Sequence, residues 1–156
     1  MREPITSEGY AKLKEELDHL KQVQRPAVIE AIAEARGHGD LSENAEYDAA
    51  KDRQGYIEGR IRELETKIAT SEVIDISRLS GERVTFGATV RLVDSENDAE
   101  VTYQIVGVDE ADLNKGRISV RSPMARALIG RQPGDEVTLV APGGTREFEI
   151  LEVGFT

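Results

Sequence analysis

Asp40 and Glu43 stand three residues apart in the run Gly37-His38-Gly39-Asp40-Leu41-Ser42-Glu43-Asn44-Ala45-Glu46-Tyr47, which separates two long helical patterns. Two carboxylates at that spacing suit two kinds of chemistry. Mg2+ is a hard cation that takes one or two carboxylates and keeps several waters. The pair can therefore supply half of a metal site completed by another molecule, help retain the ion there and position an attacking water. The same Asp-x-x-Glu spacing ahead of a helix is also a capping box, with Asp40 at the N-cap and Glu43 at the third helical position. Spacing alone leans towards the cap, and the two roles are compatible. Arg36, Lys51 and Arg53 lie near the same end and offer a small basic patch for a phosphate backbone, or ordinary exposed helix charges. Tyr47 falls on an apolar seam, to pack there or to stack on a base. Asn44 and Glu46 suit the first turn of a helix. His19 and His38 have no partner cluster and read as surface residues.

The elements that must hold these residues are two helical arms. From Thr6 to Ile76 the period is helical, with apolar positions at Tyr10, Leu13, Leu17, Leu20, Val28, Ile32 and Ala35. In the second arm they fall at Tyr47, Ala50, Ile57, Ile61, Leu64 and Ile68. Apart from Gln54, the second arm keeps the alternating steps of three and four that make a coiled-coil seam. The first arm slips by one residue near Arg25-Pro26, where proline predicts a kink or a break. Tyr10 mirrors Ile68, Leu17 mirrors Ile61 and Val28 mirrors Ala50 about a point near residue 39. The seam thus predicts an antiparallel hairpin over 1–76 that turns at Gly37-His38-Gly39-Asp40, where Gly37 and Gly39 supply backbone freedom. Each arm is roughly 40 Å long at ~1.5 Å per residue. The register sets Gln24 opposite Gln54 as a buried polar pair that fixes alignment.

After Ile76 the period becomes two. Strands are predicted over 84–92, 101–105, 118–120, 135–140 and 146–155, the last two joined at Ala141-Pro142-Gly143-Gly144-Thr145. Ser122 to Gly130 reads as a short helix with Ser122 as N-cap, Pro123 as first residue and Gly130 at its C-terminal end. The fold class is α+β: an antiparallel coiled-coil hairpin over 1–76, then a compact sheet-plus-helix domain over 77–156.

Composition narrows the function. The chain has 20 Lys+Arg against 30 Asp+Glu, a net charge of −10, which argues against a broad nucleic-acid footprint. No cysteine is present, which excludes disulfides and thiolate zinc sites. No run approaches the ~18 apolar residues of a membrane span, and Met-Arg-Glu-Pro-Ile-Thr-Ser has no apolar signal core. A cytoplasmic protein without membrane association is expected. With 4% aromatics and no Trp, a deep aromatic ligand pocket is not expected.

The run from Arg36 to Tyr47 closely resembles the tip motif of bacterial transcript cleavage factors, the Gre family. The resemblance spans the chain: Leu17 to Ala35 with Arg25-Pro26, Phe86-Gly87-Ala88-Thr89-Val90, and Ser122-Pro123-Met124-Ala125-Arg126-Ala127-Leu128-Ile129-Gly130. Leu41 and the modest basic content after Tyr47 are similar to the GreA branch rather than the more basic GreB branch. The resemblance implies a C-terminal domain of FKBP-like fold that binds RNA polymerase at the rim of its secondary channel, through Ser122, Pro123 and Arg126. It implies a coiled coil inside the channel and stimulation of the polymerase's own cleavage of backtracked RNA. Asp40 and Glu43 would then share Mg2+ with the polymerase, no cofactor being bound by the chain alone. Arg36, Tyr47, Lys51 and Arg53 would contact the 3′ end of the nascent RNA, within a tip motif that includes Gly39, Leu41, Asn44 and Glu46. Such a protein is an accessory factor and not an enzyme. Two rival readings stay open: a channel-binding inhibitor of the same fold, and a coiled-coil adaptor for a partner helix. Closure of the seam within the chain favours a monomer over the adaptor.

Overall fold

The computed structural model describes residues 2–37 and 44–155. They fall into two compact units, one within residues 10–71 and one within residues 1–9 and 72–156.

The first unit is a helical hairpin. Its outgoing arm is α1 (Ser7–His19), a π-helical turn (Leu20–Gln24) and α2 (Arg25–Arg36), and its return arm is α3 (Ala45–Thr70). Leu13, Leu20, Val28, Ile32 and Ala35 are buried from one side, and Ala50, Ile57, Ile61 and Leu64 from the other. Tyr10, Leu17, Tyr47 and Ile68 are only half-buried. Cross-arm polar contacts fix the antiparallel sense. Arg60 clamps Glu16 through two hydrogen bonds of 2.7 and 2.9 Å, and Arg25 clamps Glu58 through two of 2.8 Å. Lys21 Nζ reaches Glu65 at 3.1 Å.

The slip in the first arm takes a form the sequence did not specify. The chain remains helical through Pro26, and the hydrogen-bond ladder changes instead. Arg25 donates its N–H to the Leu20 carbonyl, five residues back. A π turn takes in one residue more than an α turn, and so absorbs the eight-residue step that keeps both Leu20 and Val28 in the seam. Pro26, in the first turn of α2, lacks an N–H where the ladder is already interrupted.

In the second unit, β3 (Thr89–Asp94), β4 (Glu100–Val106), β5 (Arg117–Ser119), β6 (Glu136–Ala141) and β7 (Gly144–Gly154) form one sheet in the order β5-β4-β3-β7-β6. All its pairs are antiparallel except β4 with β5. The short helix α4 (Pro123–Leu128) buries Met124, Ala125 and Leu128 in a core with Val90, Leu92, Ile105 and Ile150. The strand expected over 84–92 begins only at Thr89. Val84 and Ala88 are buried as the alternation requires, but Ala88 N–H bonds the Thr85 carbonyl in a turn. Gly87 has φ +88, and a Cβ there would overlap Ile76, so this turn requires glycine.

The sequence divides the chain near residue 76. The structure groups residues 1–9 and 72–76 with the sheet unit, for a visible reason. The strand β1 (Glu3–Thr6) pairs with β2 (Ser71–Ile74). Glu110 accepts the backbone N–H groups of Thr6 (3.2 Å) and Gly107 (2.7 Å), and the Thr6 hydroxyl. Arg121 and Arg117 pair with Glu3 and Glu8.

Candidate functional site

The site is the far end of the hairpin. Gly39, Asp40, Leu41 and Glu43 lie outside the described residues, as does His38; the structure describes what flanks them. α2 ends at Arg36, an exposed cation in the last turn, where it complements the helix dipole. Gly37 follows with φ −66 and ψ −14. That backbone is open to any residue, so the freedom expected of Gly37 is not used.

The return helix begins with a cap that the sequence reading misplaced. The N-cap of α3 is Asn44, whose Oδ1 accepts the Tyr47 N–H at 3.1 Å. Asp40 is therefore not the N-cap of α3, and Glu43 precedes the helix rather than occupying its third position. The apolar period begins at Tyr47, which leaves Asn44 and not Asp40 at the start of the first turn. This signal was legible, because Asn is among the strongest N-cap residues. Glu46 lies in the first turn with Asp48, where the helix dipole favours negative charge. Asn44 also reaches backwards: Nδ2 donates to the Ala35 carbonyl of α2 at 2.8 Å.

Behind the tip the basic residues are engaged at exposed positions. Lys51 Nζ donates to Gln54 Oε1 at 3.2 Å, and Arg53 Nη2 donates to Gln24 Oε1 at 3.2 Å. The expected Gln24–Gln54 pair is thus replaced. Each amide oxygen accepts from a cation on α3, and both glutamines are half-buried rather than sealed in the seam. A guanidinium has five N–H donors, so one bond to Gln24 does not exhaust Arg53. Lower in the hairpin, the hydrogen bonds from Arg60 hold the Glu16 carboxyl below the usual carboxylate range against the opposing effect of burial.

Ser122, Pro123 and Arg126 belong to the sheet unit. Ser122 is the N-cap of α4, its hydroxyl accepting the Ala125 N–H at 3.2 Å; Pro123 opens the helix, and Arg126 is exposed in its last turn. Gly130 has φ +90 and donates its N–H to the Val84 carbonyl at 2.8 Å, as a glycine beyond a helix end can. Among the described residues, no group of three or more His, Asp or Glu gathers to hold a metal ion. No described helix is long and apolar enough to cross a membrane.

Residues 3–73 match the family model described as "Transcription elongation factor, N-terminal", and residues 79–155 match "Transcription elongation factor, GreA/GreB, C-term". The chain is 61% identical over 153 residues to "Transcription elongation factor GreA" of Methylococcus capsulatus, covering 97% of each chain. It is 62% identical over 152 residues to the protein of that name from Acidiphilium cryptum, again with 97% of each covered. With that from Xanthomonas campestris pv. campestris the identity is 58% over 156 residues and 99% of each.

Proposed function

The chain belongs to the GreA/GreB family of transcription elongation factors, and from that premise we propose that it acts on RNA polymerase, entering the secondary channel with its hairpin to stimulate the polymerase's own hydrolysis of backtracked RNA. One observation supports the reading above others. Two long arms, paired antiparallel and clamped by arginine–carboxylate bridges, run to a single end whose short connection holds Asp40 and Glu43. A stiff arm of this kind can carry charge deep into another protein.

Two carboxylates fit the demand of Mg2+ for one or two such ligands and several waters, and on their own would hold it weakly. Asp40 and Glu43 therefore serve as half of a site, the polymerase supplying the rest. An ion held there would supply a polarised water for the attack. The chain's own contribution is the negative charge of Asp40 and Glu43, with Arg36, Lys51 and Arg53 on the flanking helices to meet the phosphates of the RNA 3′ segment and Tyr47 beside them. The sheet unit supplies affinity for the polymerase through Ser122, Pro123 and Arg126 at α4. In this reading the protein is an accessory factor, a monomer, and works in the cytoplasm where its polymerase is.

A channel-binding inhibitor of the same fold is the other reading. Relatives at 58–62% identity that carry the name elongation factor GreA favour the first. The test adds the protein to stalled, backtracked polymerase with Mg2+ and follows the RNA. Shortened transcripts that resume elongation support cleavage. Halted synthesis without shortening supports inhibition.

A further inference from the structure

We infer that Asn44 is a positioning residue for the tip, its one amide holding the end of α2 to the start of α3. The functional part of this inference rests on the reading of Asp40 and Glu43 as the acting groups. Every helix leaves unpaired carbonyls at its C-terminal end and unpaired N–H groups at its N-terminal end. Here one side chain satisfies one of each on two different helices. Oδ1 accepts from Tyr47 N–H at 3.1 Å, and Nδ2 donates to the Ala35 carbonyl at 2.8 Å. The Asn44 carbonyl accepts from Asp48 N–H at 3.1 Å, so the residue is also tied into the α3 ladder.

The residue type follows from this double task. Asp caps as well as Asn but, ionised, has no donor for the Ala35 carbonyl. Ser has donor and acceptor on a single short-reaching atom. Only a planar amide on a short stem presents an acceptor to one helix and a donor to the other. The six residues 38–43 connect ends that this amide holds in register. A misplacement of ~1 Å in a reacting arrangement can cost roughly 100-fold in rate. The clasp therefore acts on chemistry through the carboxylates it positions, without touching the reacting atoms.

Asn44→Asp separates the clasp from the cap. The cap acceptor survives, and a carboxylate favoured at a helix N-terminus offsets the bond lost to Ala35, so the melting midpoint should change little. The donor to Ala35 is lost, and its place is taken by an oxygen that repels the carbonyl. The full-length protein, Asn44→Asp and Asp40→Asn would be compared on backtracked polymerase over a range of factor concentrations. For Asn44→Asp we expect the maximal cleavage rate to fall roughly 10- to 100-fold, with the half-saturating concentration unchanged within about twofold. A second readout does not depend on cleavage. The chain has no cysteine, so Glu34→Cys with Asp48→Cys places spin labels on exposed sites of the two helices. Their distance distribution should broaden or shift in Asn44→Asp. A normal maximal rate in Asn44→Asp beside an inactive Asp40→Asn overturns the positioning role. So does a loss of rate that comes with a falling melting midpoint, which would make Asn44 a matter of stability alone. If Asp40→Asn itself cleaves normally, the reading of the tip carboxylates fails instead. The clasp then stands or falls on the label distance, and an unchanged distribution overturns it.

Discussion

Gly9 lies so close beneath Glu110 that a Cβ on it would overlap the Glu110 carboxylate. The carboxylate cannot simply swing aside, because it accepts from Thr6 N–H, the Thr6 hydroxyl and Gly107 N–H. Gly9 N–H in turn donates to Thr6 Oγ1 at 3.0 Å. Gly107 is equally confined, its Cβ position lying 2.8 Å from the Pro4 carbonyl. In an open helix Gly→Ala would stabilise by about 1 kcal/mol. Here we expect Gly9→Ala to destabilise, since displacing Glu110 gives up hydrogen bonds to a charged group worth about 1.5–3 kcal/mol each. In a Glu110→Ala background the same change should become neutral or stabilising. Denaturant melts of the four proteins test the coupling, and additive effects would show that the two residues do not constrain each other.

The hairpin gives a graded prediction along one seam. Ile57 is fully buried, so Ile57→Ala should cost roughly 2–5 kcal/mol. Leu17 is half-buried, and Leu17→Ala should fall below about 2 kcal/mol. Loss of helix signal on heating would report the order. Equal costs would mean that the two layers are packed alike.

Asp94 sets a dependence on pH in the sheet unit. Its carboxyl is held below the usual carboxylate range, first by the Glu96 N–H and then by Arg146, which lies 2.5 Å away, while burial opposes both. A carboxyl lowered in the folded state stabilises above its unfolded value, about pH 3.9, and that stabilisation is lost as pH falls towards the folded value. The difference in melting midpoint between the native protein and Asp94→Asn should therefore be constant near neutrality and shrink below about pH 4. A difference that does not change with pH would remove the charge from the account.

Much of this arrangement was legible because the hydrophobic seam is periodic. Mirror pairing about residue 39 identified the hairpin, and Leu20, Val28, Ile57, Ile61 and Leu64 are buried as that pairing requires. Where two local patterns compete, sequence reading fails. Asp40 and Asn44 each offer a cap, and the choice depends on where α3 meets α2, a tertiary contact made by Ala35. The π turn was hidden for a related reason, since a one-residue slip in a seam fits a kink, a break or an expanded turn equally. Gln24 and Gln54 mirror each other in number, yet Arg53 and Lys51 reach them first. The attachment of residues 1–9 to the sheet unit had no local signal at all, because Glu110 lies more than a hundred residues away in the chain.

Arg126, exposed on α4, tests the assignment of affinity to the sheet unit. Arg126→Glu should raise the concentration of factor needed for half-maximal cleavage by roughly tenfold, about 1.4 kcal/mol, while leaving the maximal rate in place. Unchanged affinity would move the polymerase contact elsewhere.

The central claim is that Asp40 acts through its charge at the polymerase's metal centre. Because Asn44 is the N-cap of α3, Asp40→Asn removes no cap of that helix, so the melting midpoint should stay where it is. The measurement is transcript cleavage by backtracked polymerase with native or Asp40→Asn protein, each at saturating concentration and over a series of Mg2+ concentrations. Asp40→Asn should compete with the native protein for polymerase nearly as well, lose most of the stimulation, and recover part of it as Mg2+ is raised, since mass action offsets weakened metal affinity. Cleavage at the native rate by a folded, polymerase-bound Asp40→Asn protein would contradict it.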